Sequence, residues 1–180
     1  MDAHGRYASV SVHRTRIRPS TPADFPALQH IEVRAGELFV EVGMPEIAAH
    51  PPGDLDDFAA AQALLVAVGD DAEPIGYAWI ELVDDTTYLE QLSVLPEQGR
   101  QGVGTALLDA VADWARARGD DAVVLTTFRD VPFNGPLYAK RGFVHLSETE
   151  WTEGQREIIA FQATLGMDPA SRTVMRRSLA

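Results

Sequence analysis

Residues 89–108, LEQLSVLPEQGRQGVGTALL, constrain this chain more than any other stretch. Polar and apolar positions alternate from Glu90 through Gln91, Leu92, Ser93 and Val94 to Leu95, which predicts a strand with one face buried. Pro96 ends it, Gly99, Gly102 and Gly104 follow, and Ala106, Leu107, Ala110, Val111 and Trp114 then recur at helical spacing. Glycines let the backbone approach a ligand closely, and the first amides of a helix have no partners of their own. With the positive end of the helix dipole behind them, those amides make an anion site suited to a phosphate or pyrophosphate.

Three phosphate-binding patterns compete for this turn. A mononucleotide loop needs G-x-x-x-x-G-K-[ST], and Lys140, the only lysine, follows no such glycines. A dinucleotide fingerprint needs a third small residue where Leu107 stands, and a hairpin-like region precedes the turn where a Rossmann unit would open. The third pattern is met. Leu92-Ser93-Val94, Pro96 and Gly99-Arg100-Gln101-Gly102-Val103-Gly104 resemble the donor-binding motif of the GNAT superfamily of N-acetyltransferases, Arg/Gln-x-x-Gly-x-Gly/Ala after a strand ending in Val-x-Pro. Gly99 stands where the family has Arg or Gln, and Arg100 is the neighbouring charge.

The resemblance implies a fold, a cosubstrate and a set of residues. The fold is α/β in the α+β sense: a mixed, mostly antiparallel sheet of six to seven strands with helices on both faces, its central strands splayed at the acetyl-coenzyme A site. Leu92, Ser93, Val94, Gly99, Arg100, Gln101, Gly102, Val103, Gly104 and Thr105 become donor-binding residues. A second stretch, Phe128 to Phe143, resembles the family segment in which an Asn precedes a short helix, then Tyr, then Gly-Phe opening a strand. Asn134 is then a donor contact, and Tyr138, with Gly142 and Phe143 at family spacing, is the acid. A homodimer is also implied, with the apolar residues around 37–45 and 155–167 as its surfaces.

Acyl transfer sets the remaining requirements. An aliphatic amine, with a pKa of about 10, is protonated at neutral pH and must lose a proton before it attacks a thioester. Glu90 is the chosen base, working through water, on the same face as Val94; Glu81 on the preceding strand is its rival. Backbone N–H groups near Val94 would polarise the thioester carbonyl. Glu32, Glu37 and Glu41 are candidates to bind a cationic acceptor, a small-molecule or peptide amine. The runner-up reading is an acyl-CoA-binding sensor or interaction module of the same fold that turns nothing over.

Composition bounds the other classes. The 180 residues, 46% hydrophobic and 23% charged, suit one globular domain over 13–180 behind a loose arm over 1–12. A formal charge of −12 speaks against nucleic acid and favours cationic partners. Cysteine is absent and the five histidines lack metal spacing, so neither disulfide nor metal is expected. The first residues lack the apolar core of a secretion signal and no run is long enough to span a bilayer, so the expected location is cytoplasmic.

Pattern places the rest. Val10 and Val12 suggest a short strand in the arm, and 13–18 reads as an edge strand. Thr21-Pro22-Ala23-Asp24 starts a helix over 22–36, residues 37–53 read as irregular, and a second helix is expected over 54–63. Strands follow over 63–68, 74–83 and 87–95, then a helix over 103–118 capped by Gly119. A strand over 123–126 must lie parallel to the central one. A strand over 143–146, a helix opened by the Thr152/Gln155 capping box and a closing strand over 172–179 complete the chain.

Overall fold

Turn length decides most of the sheet. The computed structural model describes residues 15–179, so the expected arm, with Val10 and Val12, lies outside the described residues. Strand β1 (Arg16–Pro19) is followed by helices α1 (Phe25–Gly36), α2 (Leu38–Glu41), α3 (Pro45–Ala48) and α4 (Leu55–Ala60). Strands β2 (Ala63–Val68), β3 (Pro74–Val83) and β4 (Thr86–Val94) then form an antiparallel meander, with β1 paired on the outside of β2. Asp84 and Asp85 join β3 to β4 with φ of 48° and 59°, the left-handed pair of a two-residue hairpin.

Helix α5 (Val103–Arg118) carries the chain across the sheet to β5 (Ala122–Phe128), which pairs parallel to β4 as such a crossover requires. Helix α6 (Gly135–Ala139), strand β6 (Val144–His145), helix α7 (Glu153–Thr164) and strand β7 (Arg172–Ser178) follow. Among the described residues the seven strands run β1-β2-β3-β4-β5-β7-β6, with one parallel pair. Gly119 ends α5 at φ 97°, and the capping box of Thr152 and Gln155 opens α7. Among the described residues no helix is long and apolar enough to cross a membrane.

Helices cover both faces. On one, Leu107, Leu108, Val111 and Ala115 of α5, with Tyr138 and Phe143, pack on Leu65, Ala78, Leu89, Leu125 and Met175. On the other, Leu28 and Ile31 of α1 and Phe58 of α4 meet Leu64, Val66 and Tyr77, while Ile159 of α7 meets Tyr88, Val124 and Val174.

Several boundaries differ from expectation for local reasons. The first helix begins as a 3-10 turn over Pro22–Asp24, where Asp24 also takes two hydrogen bonds from Arg18 (2.7 and 2.8 Å). Residues 37–53 hold two short helices, each a single turn. The helix expected over 54–63 stops at Ala60, because Ala61 turns to ψ 144° and Ala63 is already paired in β2. The strand expected over 143–146 contracts to Val144–His145.

Two irregularities of β4 shape everything near the site. The parallel pair with β5 extends only over Thr87–Leu89 against Val123–Leu125; beyond it β4 continues on β3 alone and β5 on β7 alone. The second is a bulge: Ile80 sits opposite Leu89 and Trp79 opposite Gln91, leaving Glu90 without a partner. The extra residue resets the alternation. Leu89, Leu92 and Val94 all pack on the α5 side, whereas Glu90 shares the opposite side with Tyr77 and Tyr88. Glu90 is therefore not on the face of Val94, as strict alternation placed it.

Candidate active site

The gap between the parting strands is lined by backbone. Leu95 donates its N–H to the Ile75 carbonyl at 3.0 Å, which fixes the parity of the β3–β4 ladder. Ser93 and Leu95 face β3, so the amides of Leu92 and Val94 point away from it, into the gap. Ser93 itself is not brought there: its backbone faces β3, and its buried side chain accepts from Gln91 Nε2 at 2.9 Å beside the Tyr77 hydroxyl.

The glycine turn closes one end of the gap. Pro96–Gln98 form a 3-10 turn, and Gly99 donates to the Pro96 carbonyl at 3.0 Å. A Cβ at Gly99 would stand 2.9 Å from that same carbonyl oxygen, so the local backbone itself selects glycine. Arg100 and Gly102 both take positive φ, 60° and 88°. The first bond of α5 runs from Ala106 N–H to the Gly102 carbonyl at 2.9 Å. The amides of Arg100, Gln101, Gly102, Val103, Gly104 and Thr105 have no backbone partner among the described residues. At Gly104 the nearest contact of an added Cβ is the Val94 side chain at 3.9 Å, so the turn lies directly behind the gap-lining strand.

The other wall comes from the loop after β5. Gly135 passes so close to β5 that a Cβ would lie 2.2 Å from the Arg129 carbonyl oxygen. That contact seats α6 and the two residues expected from it. Asn134 donates Nδ2 to the Phe133 carbonyl at 3.2 Å, and its Oδ1 is buried without a hydrogen bond. An orphaned buried oxygen costs about 1–3 kcal/mol unless a ligand supplies a donor, which makes Asn134 Oδ1 a candidate acceptor for a ligand N–H. Tyr138 is 8% exposed and packs edge-on against Phe143 at 5.6 Å. Its hydroxyl makes no hydrogen bond among the described residues. Burial pushes this phenol up to about 12, while the charge of Arg172 pulls it down.

Carboxylates gather on the face of Glu90. Glu81 accepts from Trp79 Nε1 at 2.6 Å. Glu32 of α1 accepts a short hydrogen bond from the Tyr77 hydroxyl and another from the Gly53 amide at 3.3 Å. Burial raises the Glu32 carboxyl above its usual range, against those two bonds. Glu90 makes no hydrogen bond among the described residues. Water reaches its side chain, yet a wetted group can still be crowded by protein. Burial first, then the charges of Glu81 and Glu32, push its carboxyl up to about 6, with Arg172 opposing. Glu37 is turned away and pairs with Arg34 at 2.6 Å, and Glu41 is exposed at the end of α2.

Pattern did not single out Arg172, Tyr77, Tyr88, Trp79, Thr126 or Gln162. Arg172 opens β7 and reaches Gln162 on α7 and Thr126 on β5, with its guanidinium 4.4 Å from the Phe128 ring centroid. The register of β5 against β7 brings Arg172 to Phe128 and Thr126, and α7 adds Gln162. Above them, Phe39 packs edge-on against Phe128 and Phe133, beside a cavity of about 220 Å³ lined by Val42, Met44, Val131 and Pro132. Helix α1 ties down the segment leading to α4, since Gln29 Nε2 donates to the Gly53 carbonyl at 2.9 Å.

Comparison with known proteins gives a consistent family. A model of the acetyltransferase (GNAT) family matches residues 27–143. The aminoglycoside N(6')-acetyltransferase type 1 of Klebsiella aerogenes is 38% identical over 69 residues, covering 34% of this chain and 45% of that protein. A mycothiol acetyltransferase of Clavibacter michiganensis subsp. michiganensis (strain NCPPB 382) is 32% identical over 152 residues, covering 76% of this chain and 48% of that protein. The chain spans about half the length of the curated relatives it matches. Among solved structures, the PaiA N-acetyltransferase from Thermoplasma acidophilum in complex with coenzyme A shares the fold, with a TM-score of 0.65 at 16% identity over 92% of this chain and 99% of that chain.

Proposed function

This chain belongs to the acetyltransferase (GNAT) family, and from that premise we propose that it moves an acetyl group from acetyl-coenzyme A to a primary amine of a small molecule or peptide. One observation carries the reading: the β4–β5 gap has two free strand amides aimed into it, Glu90 on one side and the unbonded Tyr138 hydroxyl on the other. The relatives named for aminoglycoside and mycothiol acetylation support the transfer, and the −12 charge supports a cationic acceptor.

Acetyl-coenzyme A supplies a thioester carbonyl and a thiolate leaving group. The amides of Arg100 to Thr105 would hold its pyrophosphate at the positive end of α5, and Asn134 Oδ1 would accept an amide N–H from its arm. Leu92 and Val94 present N–H groups to the carbonyl oxygen, where charge develops as the amine attacks. Glu90 takes the amine's proton through water, and Tyr138 gives one to the departing sulfur. Glu81 and Glu32 already hold donors, which leaves Glu90 as the unbonded carboxyl among the three on the acceptor side. A homodimer would have exposed Val40 and Val42, or Phe161 on α7 and Leu165 just past its end, as its apolar surfaces.

Thiol release from acetyl-coenzyme A, followed at neutral pH while a panel of primary amines is offered, tests the transfer. Release at one thiol per amine acetylated is expected for at least one class of amine. A protein that binds acetyl-coenzyme A yet never exceeds background hydrolysis would be the non-catalytic binding module instead.

A further inference from the structure

The parallel ladder of β4 with β5 ends at Leu125, and the next residue, Thr126, is the hub of a set of buried donors. Arg172 donates Nη2 to Thr126 Oγ1 at 3.2 Å and Nε to Gln162 Oε1 at 3.1 Å, with its guanidinium 4.4 Å from the Phe128 ring centroid. The residue is 6% exposed, and among the described residues no carboxylate comes within ion-pair reach of it. Its Nη1 has no hydrogen-bond partner among those residues. A buried guanidinium without a counter-ion is costly, and its unused N–H donors mark where an anion would offset that cost.

The same contacts leave a second donor unused. A guanidinium only donates, so the Gln162 atom facing Nε is the carbonyl oxygen, and Gln162 Nε2 then donates to Thr126 Oγ1 at 2.9 Å. Thr126 Oγ1 receives from both Gln162 and Arg172, which fills its lone pairs, so its own proton goes to the Tyr88 oxygen at 2.7 Å. Tyr88, 1% exposed, accepts there, and its hydroxyl proton has no acceptor among the described residues. Glu90, two positions along the same strand, makes no hydrogen bond with it. Arg172 and Tyr88 thus each stand one hydrogen bond from the same threonine oxygen, and each keeps an unused donor. Thr126 and Gln162 are only half-buried, so the hub is open to solvent.

We propose that Arg172 and Tyr88 form a carboxylate-binding site on the acceptor side, the guanidinium Nη1 and the phenol O–H both donating to the anion, and that the acceptor is a free amino acid. The inference rests on the reading of the β4–β5 gap as the place of transfer. A carboxylate takes several donors at once, and its bonds to a guanidinium are charge-assisted. Thr126 is the first residue of β5 past the last paired position, so a carboxylate held beside it stands at the mouth of the gap into which the Leu92 and Val94 amides point. The amine to be acetylated and the carboxylate are then only a few bonds apart, the spacing of an amino acid and not of a long polyamine. The net charge of −12 draws the ammonium end towards the protein, and the buried guanidinium reads the other end. Burial draws that guanidinium down to about 10, which still leaves it charged at neutral pH.

Thermal unfolding of the full chain with coenzyme A present, each proteinogenic amino acid being offered singly beside its own carboxamide, tests the site. The carboxamide keeps the amine and the side chain and removes the anion. The midpoint is expected to rise with at least one amino acid, and to rise equally with its carboxamide only at a concentration about ten-fold higher or more. Tyr88→Phe keeps the ring and removes one donor, whereas Arg172→Gln removes the charge. The Kd of the amino acid, taken from the concentration dependence of the midpoint, is expected to weaken about ten-fold in the first variant and about 10²-fold in the second, with that of the carboxamide unchanged. No rise with any amino acid, a carboxamide that binds as well as its amino acid, or an amino acid bound as tightly by Tyr88→Phe as by wild type would overturn the proposal. Tyr88→Phe decides the point even if Arg172→Gln does not fold. Thiol release reads the transfer separately. An amino acid that binds in this way and is never acetylated would leave the site standing and remove the proposed function, whereas release only with amines that lack a carboxylate would do the reverse.

Discussion

Replacing Glu90 with glutamine is expected to lower kcat/KM roughly 10²- to 10⁴-fold at neutral pH, the range that a positioned general base supplies. Three glutamates share this face, and their partners separate them. Glu81 is committed to the Trp79 indole and Glu32 to Tyr77 and Gly53, whereas Glu90 is unbonded and stands at the β4 bulge beside the gap. Its carboxyl, raised to about 6 by burial and by the two neighbouring charges, is ionised at neutral pH yet basic enough to accept a proton. The sign of the pH dependence follows. Below about 6 Glu90 carries its proton and cannot take another, so kcat/KM is expected to fall as pH drops through that value and to level off above it. Glu90→Gln loses that limb together with the rate. Unchanged turnover in the variant would pass the role to Glu81 or to solvent.

Tyr138→Phe is the second large effect, an expected loss of about 10²-fold in kcat with little change in KM for acetyl-coenzyme A. The substitution is unusually clean because the hydroxyl makes no hydrogen bond among the described residues, while the ring keeps its edge-on contact with Phe143. Stability is therefore expected to stay within about 0.5 kcal/mol of wild type, measured by thermal unfolding beside the kinetics. A phenol held up at about 12 is protonated across the working range, so this acid adds no alkaline limb of its own. Activity that survives intact would remove Tyr138 from the mechanism without touching the fold.

Local signals explain why the donor side was legible in the sequence. Pro96, the three glycines and the apolar spacing of Leu107 and Val111 each act within a few residues, and the helix over 103–118 appears with those bounds. The parallel strand pair follows from the crossover length alone. The acceptor side was legible only in part, because its geometry is set by partners far along the chain. The bulge at Glu90 arises in pairing with β3, so alternation within β4 carried no trace of it and put Glu90 on the wrong face. Glu32 and Glu37 look alike in the sequence, yet one turns inward to Tyr77 and the other outward to Arg34. Arg172 meets Thr126 from 46 positions away, and nothing in a strand-forming stretch marks an arginine as buried.

Thermal unfolding of the full chain with acetyl-coenzyme A, with free coenzyme A and with NAD tests the donor site most directly. A ligand that binds only the folded protein stabilises it by about 2.7 kcal/mol at one hundred times its Kd. The midpoint is expected to rise with acetyl-coenzyme A and with coenzyme A and to stay fixed with NAD. A rise with NAD alone, or no rise with any of the three, would contradict a coenzyme A site at the β4–β5 gap.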